Sequence, residues 1–191
     1  MSVWLLHLTL SREEEEQIQQ RTHLPLPFEG LPDLSVISSQ RECMHLLRAL
    51  HPNDSPESLT LKLDRIWNQF SNLHLEDIIA VPLLLSGKLA LAKISGHYTY
   101  DVSMKGDDVH TIPVTWYPRL ETLRSFRRNK STLTAGTHRL VMITDQTLSR
   151  AIYQRLPYKY NRFAKMRWIM IIFLIIAQMR LIMRLTGHDA P

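Results

Sequence analysis

The chain has 191 residues, 45% of them hydrophobic and 21% charged, an ordinary globular balance that allows one proper core with an appendage but hardly two cores. Its formal charge of +5 is lopsided, because residues 1–150 hold 16 Lys+Arg against 17 Asp+Glu, so the basic excess is C-terminal. A single cysteine, Cys43, excludes an intrachain disulfide, and the opening Val3-Trp4-Leu5-Leu6, with no basic leader and with Glu13 to Glu16 close behind, excludes an ordinary signal peptide.

Those exclusions place the folded part in a reducing, cytoplasmic compartment. In chain order, residues 3–9 (VWLLHLT) read as a strand. Ser11 with Glu14 three positions on is a capping box opening an acidic helix over about 12–20. Residues 22–37 hold Pro25, Pro27, Gly30 and Pro32, the pattern of an irregular loop, with a short strand expected near Leu34 to Ile37. Ser39 and Glu42 make a second capping box before a helix that stops at His51-Pro52.

Ser55-Pro56 is an N-cap with proline at the first helical position, and Leu59, Leu63, Ile66, Trp67 and Phe70 follow at helical spacing. Asp77 to Leu84 and Leu89 to Ser95 are β-type runs joined by a Ser86-Gly87 turn, and Tyr98-Thr99-Tyr100 is expected to extend the second. A strand is expected over His110 to Tyr117, a basic helical stretch over Arg119 to Lys130, a last strand over Arg139 to Thr144, and a helix capped by Asp145 running toward Leu156. This order predicts an α+β fold with a curled mixed sheet.

From Arg155 to Arg184 there are seven basic residues and no acid, which suits phosphate groups of lipid or nucleic acid. Residues 168–177 (WIMIIFLIIA) are uninterrupted apolar. As a helix, Trp168 to Leu185 would be about 27 Å long, near the roughly 30 Å of a bilayer core, if Arg180 and Arg184 snorkel to the far interface. The domains expected are therefore 1–155 globular, 156–167 a basic linker and 168–185 a transmembrane or membrane-associated helix. Lys165, Arg167, Trp168, Arg180 and Arg184 are the lipid contacts. The denser basic flank at Lys159 to Arg167 keeps the globular domain cytoplasmic by the positive-inside rule. The competing reading is an amphipathic or core-packing helix, since Ala177, Arg180 and Arg184 share a face.

Catalytic motifs are missing: there is no phosphate loop, no Gly-x-Ser-x-Gly elbow, and no His-x-Glu with Cys-x-x-Cys. No enzyme, cofactor or metal is expected. Of nine histidines only His97 and His110 lie near strand ends where they could meet. Aromatic residues are dense in the second half of the domain, namely Trp67, Phe70, Tyr98, Tyr100, Trp116 and Tyr117. On a curved sheet such residues are usually core; the functional alternative is a base-stacking pocket. Arg119, Arg124, Arg127, Arg128 and Lys130, with Arg139, would then hold phosphates.

Trp67-x-Gln69-Phe70, Asp77-Ile78-Ile79, Leu89 to Tyr100 (LALAKISGHYTY) and His110-x-x-x-Val114-x-Trp116 fall in an order and spacing that covers about residues 30–145. The pattern resembles the N-terminal recognition domain of Mrr-like restriction endonucleases, an EVE-like module of the PUA superfamily. The resemblance implies a small mixed β-barrel with flanking helices and a pocket for a flipped, often modified, base such as a methylated cytosine. Matched by position, Trp67, Tyr98 and Trp116 become the aromatic candidates and Ser38 and Asn68 the polar readers. Glu76 stands where such domains often have glycine, and Lys93 where an acid is common. In place of that family's nuclease half stands the basic hydrophobic tail.

The function expected is a non-enzymatic reader of a modified or flipped nucleobase, in DNA or as a nucleotide. It would be tethered to a membrane within a restriction-like or antiphage defence system whose separate nuclease or effector acts on the signal. Two alternatives stay open. One is a membrane-disrupting effector gated by the domain, for which a homo-oligomer is expected. The other is an assembly protein with a vestigial pocket.

Overall fold

The structure is a computed structural model that describes residues 1–28, 30–104, 109–134 and 140–157. The chain divides into two units, Met1–Ser149 and Arg150–Pro191. Residues 158–191, with the expected helix 168–185 and its lipid contacts Lys165, Arg167, Trp168, Arg180 and Arg184, lie outside the described residues. Among the described residues no helix is long and apolar enough to cross a membrane.

Local chemistry starts the helices where the sequence places them. Helix α1 (Arg12–Gln17) opens with the complete Ser11–Glu14 capping box and tightens into a 3₁₀ turn at Ile18–Gln20. Helix α2 (Gln40–Leu50) has Ser39 as N-cap, but the Glu42 carboxylate reaches one residue further back than a capping box requires. It accepts the Ser38 N–H at 2.8 Å and the Ser38 hydroxyl at 3.0 Å. Helix α3 (Pro56–Asn72) is capped by Ser55 with Pro56 in its first turn. At the other end of the chain Asp145 caps α5 (Gln146–Tyr153) by accepting the Thr147 N–H at 2.8 Å.

The strands are β1 (Val3–Leu6), β2 (His23–Pro25), β3 (Ile78–Leu83), β4 (Lys88–Ile94), β5 (Thr99–Tyr100), β6 (His110–Trp116), β7 (Glu121–Thr122) and β8 (Leu140–Met142). They form one mixed sheet curled into a half-barrel, in the order β2-β6-β4-β3-β1-β8, with β5 on β6 and β7 on β4. Only β1 with β3 runs parallel among these pairs; the others are antiparallel. Parallel neighbours have no tight turn to set their register, and here a buried side chain does it. Asp77, 1% exposed, accepts the Ser2 N–H at 2.5 Å and the Trp4 indole N–H at 3.1 Å, holding Val3 opposite Ile78.

The central strands are buried on both faces, which is why β1 and β3 read as unbroken apolar runs. On one face Trp4, Leu6, Ile79, Val81, Ala92 and Ile94 share a core with Cys43 and Leu47 of α2 and Leu59 and Leu63 of α3. Alternate residues Val3, Leu5, Ile78, Ala80, Leu89 and Leu91 point to the other face and are equally buried. Gln69 of α3 joins the two layers by donating to the Leu140 carbonyl of β8.

Besides the second capping box, four expectations change. Leu34–Val36 is a 3₁₀ turn rather than a strand, because the Asp33 carboxylate captures the Ser35 N–H at 2.9 Å. The proline-rich loop contains β2, an edge strand in which Pro25, itself buried, falls where no donor toward β6 is needed, since the next such bond comes from the Leu26 N–H to the His110 carbonyl. Thr99–Tyr100 does not extend β4 but pairs with β6 as β5. The basic stretch 119–130 is not one helix: it holds β7, then a 3₁₀ segment Leu123–Asn129 kinked at Phe126, then the start of α4 (Lys130–Thr134).

Candidate binding cavity

Between β4 and β5 the chain crosses β6 at close range. A Cβ on Gly96 would lie 2.8 Å from Cγ of Pro113, so only glycine lets the backbone pass there. Past this crossing Tyr98 and Tyr100 point to one side by strand alternation, and Tyr100 sits opposite His110 in the β5–β6 ladder.

The rings then assemble around His110. Tyr98 stacks on it with centroids 5.9 Å apart, Tyr100 tilts against it at 5.0 Å, and Phe28 meets it edge-on at 5.9 Å. Phe70 of α3 packs edge-on to Tyr98 at 5.2 Å.

The hydrogen bonds dictate the proton positions. His110 Nε2 lies 2.9 Å from the Leu31 carbonyl, which can only accept, so Nε2 carries the proton and Nδ1 is the acceptor. Tyr98 Oη donates to that Nδ1 at 2.7 Å and itself accepts the Leu34 N–H at 3.3 Å. Burial pushes the His110 imidazole below its ordinary pKa, against the opposing pull of the Leu31 carbonyl and Asp33. Burial likewise pushes the Tyr98 phenol up to about 12. Both rings are neutral near pH 7, and each holds the other in place.

Tyr98 forms one wall of a half-open cavity of about 290 Å³, with Phe70 and Gly96 beside it and Leu73, Leu75, Ile94 and Ile112 as its apolar lining. That volume is at the small end of ligand sites, the size for a single ring system. Besides Tyr98, the polar residues along it are Ser35, His74 and His97. His74 Nδ1 lies 2.7 Å from the Asn72 carbonyl and so carries the proton, leaving Nε2 an acceptor in the neutral ring. On the opposite face of β5 and β6 lies a second depression of about 420 Å³, which includes Arg21, His23, Thr99, Met104 and Thr111.

Of the five residues matched to the base pocket, Tyr98 is the one that lines the cavity. Trp67 sits one turn before Phe70 on α3 and packs partly buried against the core. Asn68 is exposed, and its carbonyl accepts from Asn72 at 2.8 Å. Ser38 is taken up by Glu42, and the Trp116 indole donates to the Arg21 carbonyl at 2.6 Å. His74 and Ser35 were not among the candidates, while Phe70 stood only in the aromatic group and His97 only as a possible neighbour of His110. Phe70 is legible as the helical neighbour of Trp67, and His97 by adjacency to Tyr98; Ser35 and His74 lie in connections with no local signal.

The expected phosphate contacts are elsewhere. Thr122 and Glu121 pair with Lys88 and Leu89 at the start of β4, whereas the cavity meets β4 at Ile94. At about 3.3 Å per residue this separates them by roughly 17 Å along the strand. Arg119 is ion-paired to the buried Glu121 at 3.1 Å, and Arg124 is exposed. Arg127 and Arg128 lie on the 3₁₀ segment and Lys130 opens α4; Arg139 lies outside the described residues.

Cys43 is 2% exposed and its thiol is pushed up by burial, the environment of an inert core cysteine. Among the described residues no group of three or more His, Cys, Asp or Glu is placed to hold a metal ion. No protein-family model matches the chain, and no curated protein matches it.

Proposed function

We propose that the folded part is a non-enzymatic recognition module whose cavity takes one planar, base-like ring against Tyr98 and Phe70. The ligand class is a modified or extruded nucleobase, or its free nucleotide. The apolar, Arg-flanked segment 168–185 tethers the module to a membrane, and a separate nuclease or effector acts on the signal in a restriction-like defence system.

The observation that carries this reading is the way Tyr98 is held. Its ring is stacked on His110 and its hydroxyl is engaged from two sides, while it lines an apolar cavity of single-ring size. A pre-positioned aromatic wall suits stacking, worth about 1–3 kcal/mol per base. Ser35, His74 and His97 supply polar edges for exocyclic groups. Tyr98 and His110 have pKa values pushed away from neutrality in opposite directions, which suits holding protons rather than transferring them.

Two further features support an EVE-like module. The Ile94-Ser95-Gly96-His97-Tyr98 segment on which the resemblance rests contributes Ile94, Gly96, His97 and Tyr98 to the cavity. Two of the departures from that pattern stand in contact: Glu76 adopts the left-handed conformation expected of glycine, φ 72°, and its carboxylate meets Lys93 at 2.7 Å.

The test is titration of the full chain with cytosine and 5-methylcytosine nucleotides, and with short duplexes carrying either base, at two salt concentrations. Saturable, modification-dependent binding that weakens about tenfold or more in Tyr98→Ala and Phe70→Ala is the expected result. Uniform binding erased by salt, or none, would refute the reading.

A further inference from the structure

The β3–β4 turn carries features that base recognition does not use. Every residue of β3 is buried, yet the two that follow it, Leu84 and Leu85, are 49% and 64% exposed. They stand on a rigid support. The carboxylate of the buried Glu15 of α1 accepts the Leu85 N–H at 2.9 Å and the Ser86 N–H at 2.8 Å, one on each oxygen. Gly87 closes the turn at φ 67°. Two adjacent leucines are thus fixed facing water.

Cations gather beside them. Lys88 pairs with Thr122 of β7, and the Leu123 N–H donates to the Gly87 carbonyl at 3.0 Å, which brings the exposed Arg124 next to the turn. Arg119, 82% exposed, is anchored on the same edge by Glu121. Three of the four carboxylates of α1 are engaged, Glu15 by the turn, Glu14 by Arg21 at 3.2 Å and Glu16 by Arg12 at 3.7 Å, and Glu13 is exposed.

We infer that this turn docks on an anionic lipid surface, with Leu84 and Leu85 entering the boundary between headgroups and acyl chains and Lys88, Arg119 and Arg124 meeting lipid phosphates. Apolar side chains ringed by Lys and Arg gain from both the hydrocarbon and the negative surface potential. A nucleic-acid strand would use the cations but leave the leucines in water, with no aromatic face among them on which a base could stack. The inference does not depend on what the cavity binds.

The experiment uses the full chain with a nitroxide attached at Leu85→Cys, and a control label at Leu61→Cys on α3, which is 67% exposed. Cys43 is buried and stays unlabelled. On vesicles of mixed phosphatidylcholine and phosphatidylserine, the label at 85 should become accessible to a lipid-soluble relaxant and shielded from a water-soluble one, and the label at 61 should stay aqueous. The shift should be lost in the Lys88→Glu/Arg124→Glu double variant and on pure phosphatidylcholine. A label at 85 that stays aqueous while the chain is vesicle-bound would show that the tail alone holds it, and would overturn the inference. So would a shift that survives charge reversal, or immobilisation of the label by duplex DNA in place of lipid.

Discussion

His110 and Tyr98 hold the cavity wall through bonds that each ring can make in one protonation state. Replacing Tyr98 by Phe keeps the stacking ring but strands His110 Nδ1 and the Leu34 N–H. The expected cost is about 1–3 kcal/mol in stability, measured by urea unfolding, with a smaller loss of ligand affinity than Tyr98→Ala. His7 is a second buried histidine, 3% exposed, and neither of its ring nitrogens has a hydrogen-bond partner among the described residues. Burial holds both imidazoles below the ordinary value of 6.5. The unfolded chain therefore binds more protons than the folded one as pH falls below 6.5. Stability is complete above that pH and declines as the solution is acidified toward the depressed values. His7→Leu should flatten this acid limb and leave stability at pH 7 equal or higher, read from melting temperatures across pH 5 to 8; a steeper limb would contradict it.

At the scale of elements, the joints between strands decide the site. Gly96→Ala must push Pro113 aside, since the added Cβ would lie 2.8 Å from its Cγ. A cost of about 1–3 kcal/mol is expected, along with loss of cavity binding, checked by denaturation and ligand titration. Glu76 turns the chain into β3 in the left-handed region while its carboxylate, 60% exposed, meets Lys93 of the neighbouring β4. Surface pairs contribute little, whereas a Cβ at positive φ is strained. Glu76→Gly should therefore be more stable than Glu76→Ala by about 1 kcal/mol, a ranking that equal unfolding midpoints would disprove. The same scale explains which elements were legible. The starts of α1, α3 and α5 follow from caps within a few residues. Thr99–Tyr100 and Glu121–Thr122 are too short to show a period and exist only because β6 and β4 offer them partners.

Over the whole molecule, the unit Met1–Ser149 contains the sheet and the cavity, and the basic apolar tail is a separate stretch of sequence. Ending the chain after Lys165 should leave cooperative unfolding of the folded part intact and, at high salt, where docking of the β3–β4 turn is screened, move the protein from the membrane to the soluble fraction, checked by fractionation beside a melting curve. A truncated chain that still sediments with membranes would place the attachment in the folded unit. The sequence by itself determined the α+β class, the capped helix starts, the paired β3–β4 strands and the charge asymmetry, because caps, turns and periodicity act over a few neighbouring residues; the candidacy of Tyr98 came with the resemblance. Only the tertiary structure decided that β1 lies parallel to β3, and that Phe70, His74, His97 and Ser35 rather than Trp67 and Trp116 surround the cavity. It also decided that the arginines of 119–124 stand at the far end of β4. Those outcomes depend on register and on crossings between residues far apart in sequence, such as Trp4 with Asp77 and Trp4 with Met142, and a one-residue slip in a strand would reverse which side chains meet.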